Sequence, residues 1–493
     1  MREYSPKRRT ALVLTGSGTA GAYHAGALKA IDESGVKIDL VVGTGAGAVA
    51  AAFAAVAGGP RLYGKEGFWD GASGASFARL RSPFRAAVLM FGALLGVFLA
   101  PAALALVLGL LSPLLLGAWT VWSRLHPEAQ LSLPSGVLAT LPRAYVVALA
   151  VPGFGLALLA AGLAGRALLG DRRRLAESFE ALCDPGRGAR RLARDLWEVA
   201  RGPTVHARPP SPTELSRRFV ALLGENLGQP GFREMILRAS DLDAGRSLDA
   251  FVLTDAHRSA FATARGRTGR SRAEGIPGAV DLRAPGYESL LFDFVATGLL
   301  PPFVAPVRRV YFPRGGIHAG EVHRIADALL SGGVGITEAV AAGAEQVIVV
   351  AGSPEEATAP PRRRGPRALG DAVLASLERQ ALEREAESVQ TRNRMIETLG
   401  HRLEEGGRAW QDPATGCVHR DVALYVVRPD RRRLGPLELD GSRDPASEVL
   451  DTPADLMETG YRDAYRLFVE PVVGASPDLR PGLVEEEPRA VEL

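Results

Sequence analysis

The chain has 493 residues, with 58 Lys and Arg against 55 Asp and Glu and a formal net charge of +3. That near balance lacks the concentrated basic excess of a nucleic-acid binder, so no nucleic-acid partner is expected. The length allows two or three domains, and 47% hydrophobic residues suffice for a sizeable core.

The polar start MREYSPKRRT leads into Ala11–Leu14, an apolar run too short for a signal peptide, so no cleavable targeting segment is expected. Cys183 and Cys417 are the only cysteines and lie far apart. They indicate no disulfide framework and are compatible with a reducing compartment.

Two glycine-rich turns follow in quick succession. Ala11–Leu14 reads as a buried parallel strand, Gly16-Ser17-Gly18-Thr19-Ala20-Gly21 as a turn, and the residues from about 22 to 33 as a helix. Leu40–Val42 reads as a second strand, and Gly43-Thr44-Gly45-Ala46-Gly47 as a turn into a second helix. Three readings compete. A dinucleotide site expects an acidic residue closing the second strand, which here ends in Val42-Gly43. Ordinary tight turns need only glycine's backbone freedom. In an acyl-hydrolase site, the first turn holds an oxyanion and the second is a nucleophile elbow of pattern G-x-S-x-G. The third position of that elbow is Gly45.

Beyond a glycine-rich stretch at 58–82, the composition changes abruptly. No charged residue occurs from Ala86 to Ser123, nor from Ala144 to Gly165. A membrane span needs about 20 apolar residues, so membrane spans are expected at 86–116 and 144–165. Pro101 and Pro113 divide the first run and are expected to kink or end it. Arg79, Arg81 and Arg85 flank one end of the insertion, and Arg166, Arg172, Arg173 and Arg174 the other. The positive-inside rule then places the flanks, and the folded domain with them, in the cytoplasm of a multi-pass membrane protein.

Residues 171–202 are charged and partly amphipathic, with Leu192, Leu196 and Val199 on one helical face. A membrane-surface helix and a solvated connector are both compatible. Ser211 with Glu214 has the pattern of a capping box opening the next helix. A strand is expected over Leu248–Thr254, and Asp241, Asp243 and Asp249 near it match no calcium loop. His318, Glu321 and His323 form H-x-x-E-x-H, which is not the H-E-x-x-H zinc pattern, so no metal site is expected. Strands at Gln346–Val350 and Val422–Arg428 bracket a long helical stretch at 370–405.

The paired glycine turns, at this order and spacing, resemble those of the patatin-like phospholipases. Ala296-Thr297-Gly298, Pro301-Pro302-Phe303 with Pro306-Val307, and Gly460-Tyr461-Arg462-Asp463-Ala464 resemble later segments of that family. Its third motif, D-G-G, is matched by Ser331-Gly332-Gly333. The resemblance implies an α/β fold, a patatin-like three-layer α/β/α domain with a mainly parallel central sheet, interrupted by the two-helix transmembrane hairpin.

The expected organisation is a first part at 9–58, the transmembrane insertion at 84–168, a charged connector at 171–212, a second part at 213–472 and a disordered tail at 476–493. The resemblance also implies acyl hydrolysis of membrane lipids, by serine attack with a paired aspartate as base and the glycine loop holding the oxyanion. Gly16, Ser17, Gly18 and Gly21 fall in the oxyanion loop, Gly43, Thr44 and Gly47 in the elbow, and Gly332 and Gly333 in the third motif.

The nucleophile position is Gly45 and the dyad-acid position Ser331, so no catalytic residue is intact. Ser17, Thr44 and Ser331 are candidate replacement nucleophiles, with His24 and His318 as candidate bases. Three readings result: a lipid-binding or regulatory pseudoenzyme in contact with membrane lipid or fatty acyl chains, an active lipase with a displaced nucleophile, or a membrane interaction scaffold. None requires a cofactor.

Overall fold

The computed structural model describes residues 4–72, 77–125, 135–168, 181, 183–201, 208–266, 278–300, 304–314, 317–354, 366–403, 407–411, 418–429, 442–443 and 450–468. The expected tail at 476–493 and the Pro301-Pro302-Phe303 segment lie outside these residues. The chain divides into two compact units, Met1–Arg79 with Pro185–Leu493, and Leu80–Asp184.

The first unit is built on a nine-stranded sheet. It opens with β1 (Thr10–Gly16), α1 (Ala20–Glu33), β2 (Leu40–Gly45) and α2 (Ala46–Ala54). In the second unit lie α3 (Ser82–Leu125) and α4 (Ser135–Leu168). The first unit resumes with α5 (Gly186–Ala200), α6 (Pro212–Asn226), β3 (Glu234–Asp241), β4 (Arg246–Val252), α7 (Asp255–Gly266) and β5 (Ala279–Asp281). Then come α8 (Leu291–Thr297), β6 (Arg308–Tyr311), β7 (Val322–Asp327), α9 (Ile336–Ala341), β8 (Gln346–Ala351), α10 (Pro366–Leu399), β9 (Ala423–Val427) and α11 (Pro453–Phe468). The main strand order is β9-β8-β1-β2-β3-β4-β5, parallel from β9 through β3, with β7 pairing both β3 and β6.

The near-continuous apolar strands are explained by burial on both faces. In β1, Leu12 and Leu14 enter one core cluster while Ala11 and Val13 enter the other, and all four are fully buried. Leu12, Val13 and Leu14 each contribute on the order of 1.5–3 kcal/mol, and the Ala11 methyl about 0.8 kcal/mol. Helix α1 rests on α11 at backbone contact. A Cβ on Gly26 would lie 1.8 Å from the Met457 carbonyl oxygen, and one on Gly460 would lie 2.1 Å from that of Tyr23. The Tyr23 hydroxyl donates to Asp463 at 2.9 Å, locking the pair. Ser211 caps α6 as its spacing predicts, accepting from the Glu214 N–H at 3.3 Å.

Helix α5 corrects both readings of the charged connector. Leu192, Leu196 and Trp197 are buried in the core of the first unit, with Val199 packed against it. The amphipathic stripe therefore faces protein; Arg187, Arg190 and Arg194 are exposed, while Arg191 donates to the Gly67 and Asp70 carbonyls.

In the second unit, α3 is a single 44-residue helix that neither Pro101 nor Pro113 ends. At 1.5 Å per residue it runs roughly 66 Å, about twice a bilayer's hydrocarbon thickness. Ser82–Pro101 and Tyr145–Gly162 are long and apolar enough to cross a membrane, and neither window is buried. The two helices pack on one another, with Gly155 leaving room for Met90, whose Sδ would lie 2.9 Å from a Cβ there.

Candidate active site: a glycine elbow facing a buried aspartate

The two glycine turns lie side by side because β1 and β2 are parallel and in register, Thr15 opposite Thr44 and Gly16 opposite Gly45. Both strands end at the same edge, where open α/β sheets place their ligand sites. Gly45 has φ 60° and ψ −131°, a conformation that costs a non-glycine residue on the order of 1–3 kcal/mol. The elbow thus retains its strained backbone while carrying no side chain.

The sheet determines what faces that elbow. Strand β3 pairs with β2 through Thr44–Arg238, and its next residue, Ala239, pairs with Asp327 of β7. Because β4 covers the other side of β3, β2 and β7 share one side end to end. A Cβ placed on Gly45 would lie 3.0 and 3.1 Å from the two carboxylate oxygens of Asp327. The carboxylate opposite the elbow is therefore Asp327, not the expected Ser331. Ser331 lies four residues further on, in a turn, where its Oγ donates to the Ala328 carbonyl at 2.8 Å. Gly332 and Gly333 belong to that turn and its continuation, not to the carboxylate position.

Asp327 is buried, and both its carboxylate oxygens are engaged. Oδ1 accepts from the Leu329 N–H at 2.9 Å, and Oδ2 accepts from Ser17 Oγ at 2.8 Å. Burial raises its pKa to about 6, and those two hydrogen bonds hold it from going higher. Beside it, Glu378 of α10 accepts from the Gly352 N–H at 2.9 Å. Burial pushes Glu378 up to about 8, and the charge of Asp327 adds to the rise. The site therefore holds two carboxyl groups that titrate near neutrality. Among the described residues, neither has a cationic partner.

The other expected residues fall as follows. Gly16 (φ 136°) and Gly18 (φ 59°) make the first turn, with Ser17 between them. Gly21 begins α1 against Trp69, which a Cβ would meet at 2.3 Å. Gly43 and Gly47 bring α2 down onto β1 and β2. Thr44 turns its hydroxyl away from the elbow, to the Val334 carbonyl at 2.9 Å. His24 is buried with Nε2 2.9 Å from the Thr15 carbonyl, and burial lowers its pKa to about 4. His318 faces Asp241 instead of Ser331.

Two features close the elbow. A Cβ on Gly45 would lie only 2.3 Å from the Gly16 carbonyl oxygen, and Gly298 presses on the Gly45 carbonyl, 1.8 Å from where its own Cβ would be. Among the described residues, the cavity against Asp327 has about 20 Å³, lined by Ala296, Thr297, Leu300, Pro306 and Ile325 among others.

A second cluster departs from the expectation of no metal site. Asp241, His318 and His323 present ligand atoms that all lie within 4.8 Å of one another. Spacing rules missed it because the antiparallel pairing of β3 with β7 brings its members together.

The patatin-like phospholipase family model matches residues 12–219, which include both glycine turns and end before Asp327. No curated protein matches the chain. Among solved structures, VipD from Legionella pneumophila is similar at 12% identity and a TM-score of 0.31, over 94% of this chain and 67% of that one. The patatin-like phospholipase domain match thus covers residues 12–219, and the central sheet, mainly parallel and flanked by helices, is consistent with a patatin-like α/β/α fold.

Proposed function

We propose that this protein is a membrane-anchored, catalytically silent patatin-like protein with a lipid-binding or regulatory role. The observation that carries this reading is Gly45. A serine–aspartate dyad needs an alcohol at the elbow, and glycine supplies none. The Gly16 carbonyl also occupies the space that a nucleophile's Cβ requires. The aspartate half is present as Asp327, so the degeneracy is narrower than the loss of both partners. Among the described residues, the cavity beside Asp327 has about 20 Å³, below the roughly 300–1,000 Å³ of small-molecule pockets, which supports regulation over storage of an acyl chain at that point.

Membrane anchoring rests on the unburied apolar windows of α3 and α4. Phe91, Phe98, Leu110, Leu114, Val151 and Phe154 are all exposed. Soluble proteins rarely leave so continuous an apolar surface uncovered. The arginines at both ends of the pair support a cytoplasmic domain.

A second reading is favoured by one contact. The Ser17 hydroxyl donates to Asp327 at 2.8 Å, an alcohol beside a carboxylate whose pKa is near the working pH of a general base. On this reading the nucleophile has moved from the elbow to the first turn, and the protein is an active acyl hydrolase.

Ester hydrolysis by the detergent-purified full chain separates the two. No turnover above buffer is expected for the wild type. Turnover abolished by both Ser17→Ala and Asp327→Asn would replace the first reading with the second.

A further inference from the structure

We propose that Asp241, His318 and His323 form a binding site for one divalent transition-metal ion of the zinc class. Asp241 closes β3, His323 lies on β7, and His318 lies in the loop between β6 and β7. His323 and Asp327 are four residues apart on one strand, roughly 13 Å at 3.3 Å per residue, so this cluster is separate from the glycine elbow.

The carboxylate is oriented from behind. Asp241 Oδ1 accepts from the N–H groups of Asp243 and Ala244, each at 3.0 Å. Its Oδ2 faces both imidazoles, 2.8 Å from His323 Nδ1 and 3.0 Å from His318 Nε2; His323 Nδ1 also lies 3.0 Å from Oδ1. The His318 side chain is nine-tenths buried, yet its Nε2 forms no hydrogen bond, either to Asp241 or elsewhere. A buried ring nitrogen close to an oxygen but not hydrogen-bonded to it suits two donors flanking a common ion.

The supporting residues point the same way. With Nδ1 of His323 turned to the ion, its Nε2–H donates to Glu321 at 3.1 Å. That is the outer carboxylate commonly found behind a metal-bound histidine. Phe312, fully buried, packs edge-on against His318 and His323 at 5.3 and 5.6 Å and fixes both rings.

Metal–ligand bonds of about 2.0–2.2 Å put tetrahedral donors roughly 3.3–3.5 Å apart, so the two carboxylate–imidazole separations, 2.8 and 3.0 Å, need to open by only a few tenths of an ångström. Two imidazoles and one carboxylate, with a position left open, form a donor set that zinc accepts readily. The ion would pin the 317–321 segment to the β3–β7 edge.

The test uses the full chain in detergent, stripped with a chelator and dialysed against zinc, with circular dichroism as the control for folding. About one tightly bound equivalent is expected. His318→Ala and His323→Ala are expected to weaken binding at least about 100-fold, and Glu321→Gln, which keeps all three ligands, about 10-fold. Cobalt in place of zinc should give the ligand-field absorption of a low-coordinate site in the wild type but not in His318→Ala. No retained ion in folded wild type, or equal zinc affinity in wild type and folded His318→Ala, overturns the proposal. If His318→Ala fails to fold, unchanged zinc affinity in Glu321→Gln together with no cobalt spectrum in the wild type overturns it equally.

Discussion

Two buried carboxylate clusters lie one strand apart in this sheet, and they have opposite electrostatics. In the first, Arg238 of β3 is enclosed by acids: Nε lies 2.9 Å from Asp249, and Nη1 lies 3.1 Å from Glu338 and 3.7 Å from Glu385. Burial alone would disfavour the charged guanidinium, but the three acids outweigh it and raise its pKa above the ordinary range. In the second, Asp327 and Glu378 are equally buried with no cation beside them among the described residues, and both are pushed toward neutrality. The first arrangement is compensated and holds β3, β4, α9 and α10 together. The second leaves acid groups poised to exchange protons at the end of the strands where chemistry would occur. Uncompensated buried acids are costly, and they concentrate at functional sites. On the proposed reading, their presence beside Gly45 fits a former or altered reaction centre.

The sharpest way to break the contrast is to remove the compensating cation. Arg238→Met strands Asp249, Glu338 and Glu385 in the core, and a loss of about 3–5 kcal/mol is expected in denaturant unfolding at neutral pH. A loss under about 1 kcal/mol would show that water reaches those acids and that the two clusters do not differ as described.

Glu378→Gln acts in the other direction. A carboxyl whose pKa is raised on folding holds its proton in the native state at a pH where the unfolded chain has lost it. Its stabilising contribution is present at low pH and is lost as pH rises from the unfolded value to about 8. Asp327 behaves alike up to about 6. Glu378→Gln keeps an oxygen for the Gly352 N–H and removes the charge. The variant is expected to melt higher than wild type at pH 8.5, by an amount equivalent to a few kcal/mol, and to match it near pH 5. Equal melting at both pH values would contradict the assignment of an uncompensated acid.

The smallest expected effect comes from Ser17→Ala. It leaves Asp327 Oδ2 without its donor and should cost about 1–3 kcal/mol where Asp327 is ionised, and less below pH 6 where it is protonated. Melting measured across pH 5–8 reads the difference, and a pH-independent cost would mean that the hydroxyl serves packing alone.

What the sequence made legible follows from how local each signal is. Both glycine turns, β1, β2, β8 and α1 were readable because each is a contiguous run. The third motif was not. Asp327 is followed by Ala328 and Leu329, and the first glycine pair comes only at Gly332-Gly333, which drew the assignment four residues too far to Ser331. The usable signal was Asp327 at the end of a strand, capping the next turn through Leu329. The Asp241–His318–His323 cluster was visible only as two separate fragments, the aspartates near 241 and the H-x-x-E-x-H run, because the β3–β7 pairing that joins them is not a local signal. Helix α5 misled for a related reason: an amphipathic stripe states that one face is covered without stating by what.

On the proposed reading, the elbow has lost its nucleophile and no other serine has replaced it. That reading is tested most directly by reacting the detergent-purified full chain with a serine-directed fluorophosphonate and locating any adduct by peptide mass spectrometry. No labelled serine is expected in the wild type. An adduct on Ser17 that disappears in Asp327→Asn would contradict the reading and establish a working pair in the first glycine turn.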